Sequence, residues 1–127
     1  VIVNDPETLA AVSNAFHRYE QALMTNDLVV LDELFLDSPE TLRFGSTENL
    51  YGIAAIRAFR AARIGGSPQR TAKATIITAY GLDVATANTE FGCANETHLG
   101  RQSQVWVRTA DGWRIACGHV SFVEDGA

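Results

Sequence analysis

Lysine, cysteine and long apolar runs are all scarce in this chain of 127 residues. Lys73 is the single lysine, and the other nine of its ten basic residues are arginine. With 15 acidic residues the net charge is -5. That balance argues against a nucleic-acid backbone as partner, because phosphate binding needs a basic surface. No apolar stretch approaches the roughly 20 residues of a membrane span. The opening VIVNDPETL lacks the basic start and apolar core of a secretion signal, so a cytoplasmic location is expected. Cys93 and Cys117 are the only cysteines. Without a secretion signal they are expected to be free thiols rather than a bridge. There is no CxxC pair, no HExxH and no Gly-rich phosphate loop, so the common metal and nucleotide signatures are missing. The arginine bias has a chemical side: a guanidinium is a planar fork that grips carboxylates with paired hydrogen bonds, which an ammonium cannot do.

What is present suits one compact domain over residues 1–127. A chain of this length buries roughly two thirds of its unfolded surface and needs no disulfide or metal staple. Asp5 followed by Pro6 is a helix start, an acceptor at the cap and then a residue with no N–H to satisfy. Leu9, Val12, Phe16, Tyr19 and Leu23 follow at spacings of three and four, one apolar stripe of a helix running to about Met24. Asn26 or Asp27 can cap a shorter helix with Leu28, Leu31, Leu34 and Phe35 inward, broken by Asp37-Ser38-Pro39. Thr41 to Gly45 reads as a short strand, and GSTENLYG as a loop. Gly52 to Arg63 returns to helical spacing, with Ile53, Ile56, Phe59 and Ile64 inward. Strands are expected over Ala72–Tyr80, Asp83–Phe91, Gln102–Arg108 and Trp113–Val123, the last two joined by the hairpin turn TADG. Helices first and strands last imply α+β.

Strict alternation in the last strand puts Trp113, Ile115, Cys117, His119, Ser121 and Val123 on one face. Both faces of the final hairpin carry apolar residues. A homodimer through the outer sheet face would explain this, as would a wetter face with scattered apolar residues. Tyr19 belongs to the apolar stripe of the first helix and should face the sheet. Arg43 sits between Leu42 and Phe44 in a short strand. Either those two enter the core and Arg43 is exposed, or Arg43 points into a pocket. In the pocket it needs an anionic partner, because an unpaired buried charge costs several kcal/mol. Glu90, Glu48 or a bound anion could serve. Trp106, Trp113, Phe16 and Phe59 read as core, His17 and His98 as surface, and Arg57, Arg60 and Arg63 as a solvated helix face, with the alternative that one of the three closes over an anion.

The segments FHRYEQALMTNDLVVLDELF, TLRFGSTENLYGIAAIRAFRAAR, GRQSQVWVRTADGWRI and HVSF resemble the HpxZ/AtzH family of the nuclear-transport-factor-2-like (NTF2-like, SnoaL-like) superfamily. The resemblance runs from about Asp5 to Glu124, and CANETHLG is its poorest part. It implies a cone-shaped α+β fold, three helices on a curved mixed or antiparallel sheet, and a dimer packed sheet to sheet. It carries the family's pocket pair onto Tyr19, in RYE, and Arg43, in LRFG. It further implies removal of a carboxyl group from 1,3-dicarboxyurea to give allophanate, in s-triazine or oxalurate catabolism, with no metal or organic cofactor. In that chemistry Arg43 would anchor a carboxylate and Tyr19 would handle the proton. His119 would orient or shuttle, and Gln102, Gln104 and Ser121 would contact amide or carbonyl groups. Cys117, on the face of His119, would lie beside the pocket as an inert thiol. The alternative is a protein that binds a ureide or carboxylate without chemistry, or an accessory subunit of a neighbouring amidase.

Overall fold

The structure is a computed structural model and describes residues 1–94 and 96–124. Helix α1 spans Pro6–Thr25, and the Asp5 carboxylate caps it by accepting from the Thr8 N–H and hydroxyl. Asn26, in the left-handed region at φ 53°, ends the helix. The Asp27 carboxylate then caps α2, Leu28–Leu34. Helix α3 covers Ile53–Ala62 and begins after Gly52, whose φ of 86° favours glycine. Six strands form one mixed sheet in the order β2-β1-β6-β5-β4-β3. They are β1 Leu42–Phe44, β2 Asn49–Tyr51, β3 Arg70–Tyr80, β4 Val84–Cys93, β5 Gly100–Thr109 and β6 Gly112–Phe122. The four long strands are the antiparallel meander expected from the sequence. The stretch expected to be only a loop contains β2, paired antiparallel with β1, while β1 runs parallel to β6. Three residues are too short a run for alternation to stand out, which is why β2 escaped the pattern.

The helices cover one face of the sheet. Val12, Phe16, Tyr19 and Leu23 of α1 meet Leu31, Leu34, Phe35, Ile53 and Ile56, with Ala85, Ala87, Trp106 and Ile115 of the sheet beneath them. Ile64, expected inward, is fully exposed because α3 has already ended. The inner face changes character along the strands. At one end Ala85, Ala87 and Trp106 lie under apolar helix residues. Toward the other end the inward residues are Thr89 and Gln102, then Phe91 opposite Gly100. Small and polar side chains there cannot fill the space under the helices, and a hollow results.

Two bulges decide which side chains reach that hollow. In β3 the register shifts between Ala72 and Ala74, so Lys73 is an extra residue. Ala79, Ile77 and Thr75 pair with inward residues of β4, and past the bulge Ala72 and Arg70 do so. In β6 the pairs Trp106–Ile115 and Val105–Cys117 leave Ala116 as the extra residue. Trp113 and Ile115 point inward before this bulge; Gly118, Val120 and Phe122 do so after it. A one-residue insertion swaps every later side chain to the other face.

Candidate functional site

A cavity of about 500 Å³ opens between α1, α3 and the polar end of the sheet. Tyr19 projects into it from α1, Arg43 from β1, Phe59 and Arg63 from α3 and the turn after it, Arg70 from β3, and Gln102 from β5. Arg43 pairs in register with Gly118 of β6, so it takes the inner face while Leu42 and Phe44 take the outer one. Its side chain is 13 % exposed. Of the three partners considered for it, Glu48 is the one in contact: Arg43 Nη1 donates to Glu48 Oε1 at 3.0 Å. Glu48 reaches back because Gly45 lacks a side chain, since a Cβ there would stand 1.8 Å from Glu48 Oε1. The Thr47 hydroxyl donates to the other carboxylate oxygen at 2.7 Å. Burial, the largest single influence on Glu48, pushes its pKa up, yet Thr47 and Arg43 together hold it below the ordinary value. Glu90 is exposed and lies on the outer face.

Of the other guanidiniums, Arg70 was not singled out by sequence reasoning, and Arg60 and Arg63 were read as part of a solvated helix face. Arg70 lies with its Cζ 4.4 Å over the Phe91 ring. It forms a short ion pair with Glu20 and donates to Gln102 Oε1 at 3.2 Å. Arg63 packs its Cζ 5.6 Å from the centre of the Phe59 ring and donates to Ser67 Oγ at 3.2 Å. Desolvation, then repulsion from Arg43, lowers its pKa. Arg60 corrects the expectation of a solvated helix face: it is 6 % exposed and donates from Nη2 to Tyr19 Oη at 3.1 Å. Ile53, Ile56 and Arg60 stand at spacings of three and four, so the apolar stripe of α3 itself carried the signal that Arg60 faces inward. Arg57 does stay exposed, 3.7 Å from Asp37. Arg70 had no comparable signal, because its inward turn depends on the Lys73 bulge.

Tyr19 is 1 % exposed, its ring edge-on to Phe35 and Trp106 with centroids 6.0 and 6.5 Å away. Burial is the largest influence on its phenol and raises the pKa. The positive charges of Arg60, Arg43 and Arg70 outweigh burial and the opposing Glu20, so the net direction is down. Among the described residues no carboxylate lies within ion-pair distance of Arg60 or Arg63. Four guanidiniums, Arg43, Arg60, Arg63 and Arg70, stand against three carboxylates, Glu48, Glu20 and Glu96, the last of which also lines the cavity; one positive charge is left over, which suits an anionic ligand.

The remaining expected contacts divide. Gln102 lines the cavity and is 3 % exposed, with Nε2 buried and unpartnered. Gln104 shares the inner face and is equally buried but does not line the cavity; its Oε1 accepts from Trp106 Nε1 at 3.0 Å. His119 and Ser121 correct the strict alternation: the Ala116 bulge turns both to the outer face, away from Tyr19 and Arg43. His119 stands edge-on to Phe44 there, at 5.7 Å between centroids. Cys117 goes outward with them, and Cys93 is the thiol that lines the cavity. Among the described residues, no group of three or more His, Cys, Asp or Glu side chains is arranged to hold a metal ion. Among the described residues, no helix is long and apolar enough to cross a membrane.

No curated protein matches this chain. Solved structures do. A protein of unknown function from Pectobacterium atrosepticum, assigned to the DUF3225 family, is 51 % identical, with 96 % of this chain and 95 % of that one covered at a TM-score of 0.93. A cystatin-like fold protein from Burkholderia xenovorans is 43 % identical, with 96 % of each chain covered at a TM-score of 0.91. A putative dehydratase of the NTF2-like family from Streptomyces avermitilis, 21 % identical with 94 % of this chain and 99 % of that one covered at a TM-score of 0.76, shares the fold. The architecture is thus the NTF2-like, cystatin-like α+β cone implied by the sequence resemblance. With the AtzH-like family profile matching residues 1–126, the chain belongs to the AtzH-like family.

Proposed function

We propose that this protein is a cofactor-free enzyme that removes one carboxyl group from 1,3-dicarboxyurea, or a closely similar N-carboxylated ureide dianion, to leave allophanate and CO2. The observation that carries the reading is the convergence of Tyr19 and Arg43 in one cavity surplus in guanidinium charge. Membership of the AtzH-like family supports it. Arg43 grips one carboxylate with the N–H groups that Glu48 leaves unused. Arg63, across the Phe59 ring, receives the opposite end of the dianion. The Arg70–Gln102 pair faces the central ureido group.

The reaction breaks the bond between nitrogen and the departing carboxyl carbon. The electron pair stays on nitrogen, which takes a proton from the Tyr19 hydroxyl, and the carboxyl carbon leaves as CO2. The phenolate regains its proton from solvent. A phenol held below its ordinary pKa is the better proton donor at neutral pH. His119 and Ser121 have no part in this scheme, because both face outward.

The test is CO2 release from freshly made dicarboxyurea with and without protein, since the substrate is expected to lose CO2 unaided. Tyr19→Phe and Arg43→Lys are expected to abolish the acceleration while far-ultraviolet circular dichroism stays native. Full activity in both variants sinks the assignment. Tight binding without acceleration would favour a non-catalytic ureide-binding protein, and co-purification with an amidase would favour an accessory role.

The same reading includes a cytoplasmic homodimer joined through the outer sheet face. Leu42, Phe44, Val105 and Cys117 line an apolar depression there, with Ile76 exposed nearby on β3.

A further inference from the structure

Arg60 is the one guanidinium here that does not line the cavity, yet it is the one that touches Tyr19. It lies behind the phenol, sealed by Phe35, whose ring centre is 5.3 Å from its Cζ, and by the Tyr19 ring itself at 5.9 Å. Its Nε is buried without a partner. Ring faces soften the burial of a cation but do not neutralise it. A buried guanidinium with no carboxylate is costly, unless the group it touches can become an anion. The group it touches is a phenol.

We propose that Arg60 is a positioning residue for Tyr19: its Nη2–H occupies the phenol oxygen from behind, so that the phenol's own proton is directed into the cavity and the phenolate left by its transfer is stabilised in place. The hydrogen-bond inventory supports this. A guanidinium only donates, so Tyr19 Oη must accept from Arg60 and its O–H must point elsewhere. Packing by Phe35 and Trp106 limits the ring, and the open direction is the cavity that Tyr19 lines. The other charged groups around the phenol are Arg43 on β1, Arg63 after α3, Arg70 on β3 and Glu20 on α1. Arg43 and Arg70 are each tied to a carboxylate, and Arg63 to Ser67. Among the described residues, Arg60 alone donates to the oxygen.

The inference rests on the decarboxylase reading for the use made of the proton, but its decisive test needs no substrate. The chain has three tyrosines, and Tyr51 and Tyr80 are 66 % and 45 % exposed. Titration of the intact protein, followed by tyrosinate absorbance, should show one phenol ionising earlier, and Tyr19→Phe should remove that phase. In Arg60→Gln the early phase should move up toward or beyond the other two, and Arg60→Lys should restore part of the shift. If the early phase stays where it was in Arg60→Gln, the proposal is overturned. Should Arg60→Gln not fold, the wild-type titration still decides: absence of an early phase assigned to Tyr19 overturns it equally. In the CO2 assay, Arg60→Gln should lower kcat by on the order of 10²-fold, with KM changed much less. An early phase that depends on Arg60 in a protein that does not accelerate CO2 loss would keep this inference and remove the decarboxylase reading.

Discussion

At the scale of single residues, the site is a problem in charge balance. Four guanidiniums crowd round one phenol, and each must be held by something. Arg43 leans on Glu48, Arg70 on Glu20 and Gln102, Arg63 on Ser67 and the Phe59 ring, and Arg60 on Tyr19 itself. Glu48 gives a test with a definite sign. Its carboxyl is depressed below the ordinary 4.5, so the stability it contributes is present above that pH and is lost as pH falls through the folded value. Glu48→Gln removes that contribution at every pH. The melting-temperature gap between wild type and variant should therefore be widest near neutrality and close on acidification below about 4.5. A gap that stays constant from pH about 7 to about 3 would show that the Glu48 carboxyl is not depressed in the folded protein.

At the scale of elements, the bulges matter more than the strands they interrupt. β3 is an edge strand with residues 71–76 exposed, so its register is loosely constrained from outside. One inserted residue, Lys73, turns Arg70 from the solvent side to the cavity. Arg70→Ala should remove the contacts with Glu20, Gln102 and the Phe91 ring that this turn brings about. The expected result is a folded protein, destabilised by about 1–3 kcal/mol through the lost part-buried ion pair. It should bind dicarboxylates, malonate for instance, at least tenfold more weakly. Thermal denaturation and isothermal calorimetry would read the two effects, and unchanged malonate binding would mean that Arg70 does not serve the ligand. The β6 bulge at Ala116 works in the opposite sense and puts His119 outside.

At the scale of the whole molecule, the sheet has two unlike sides. The inner side is a core that opens into the cavity. The outer side, lined by Leu42, Phe44, Val105 and Cys117, is the face assigned above to a second copy. If that is its occupant, sedimentation velocity at micromolar concentration should give twice the chain mass of 13.8 kDa. Val105→Glu should shift the protein toward monomer while its circular dichroism stays native, because a carboxylate buried at a symmetric interface meets its own copy or loses its water. A wild-type monomer would remove the dimer from the reading and leave the cavity untouched.

The helices, their caps and the four-stranded meander were legible in the sequence, because each rests on a local rule: Asp5 before Pro6, an apolar residue every third or fourth position, glycine at the TADG turn. Tyr19 and Arg43 were reached through resemblance, on the short patterns RYE and LRFG, and the structure brings both to one cavity. Which other side chains stand beside that pair was not legible. Alternation predicts faces only while each strand keeps step with its neighbour, and one extra residue reverses everything after it. Two such residues, Lys73 and Ala116, brought Arg70 in and sent His119 out, and neither differs locally from an ordinary strand residue. Only pairing with β4 in the one case and β5 in the other selects the bulge, so that choice belonged to the tertiary structure.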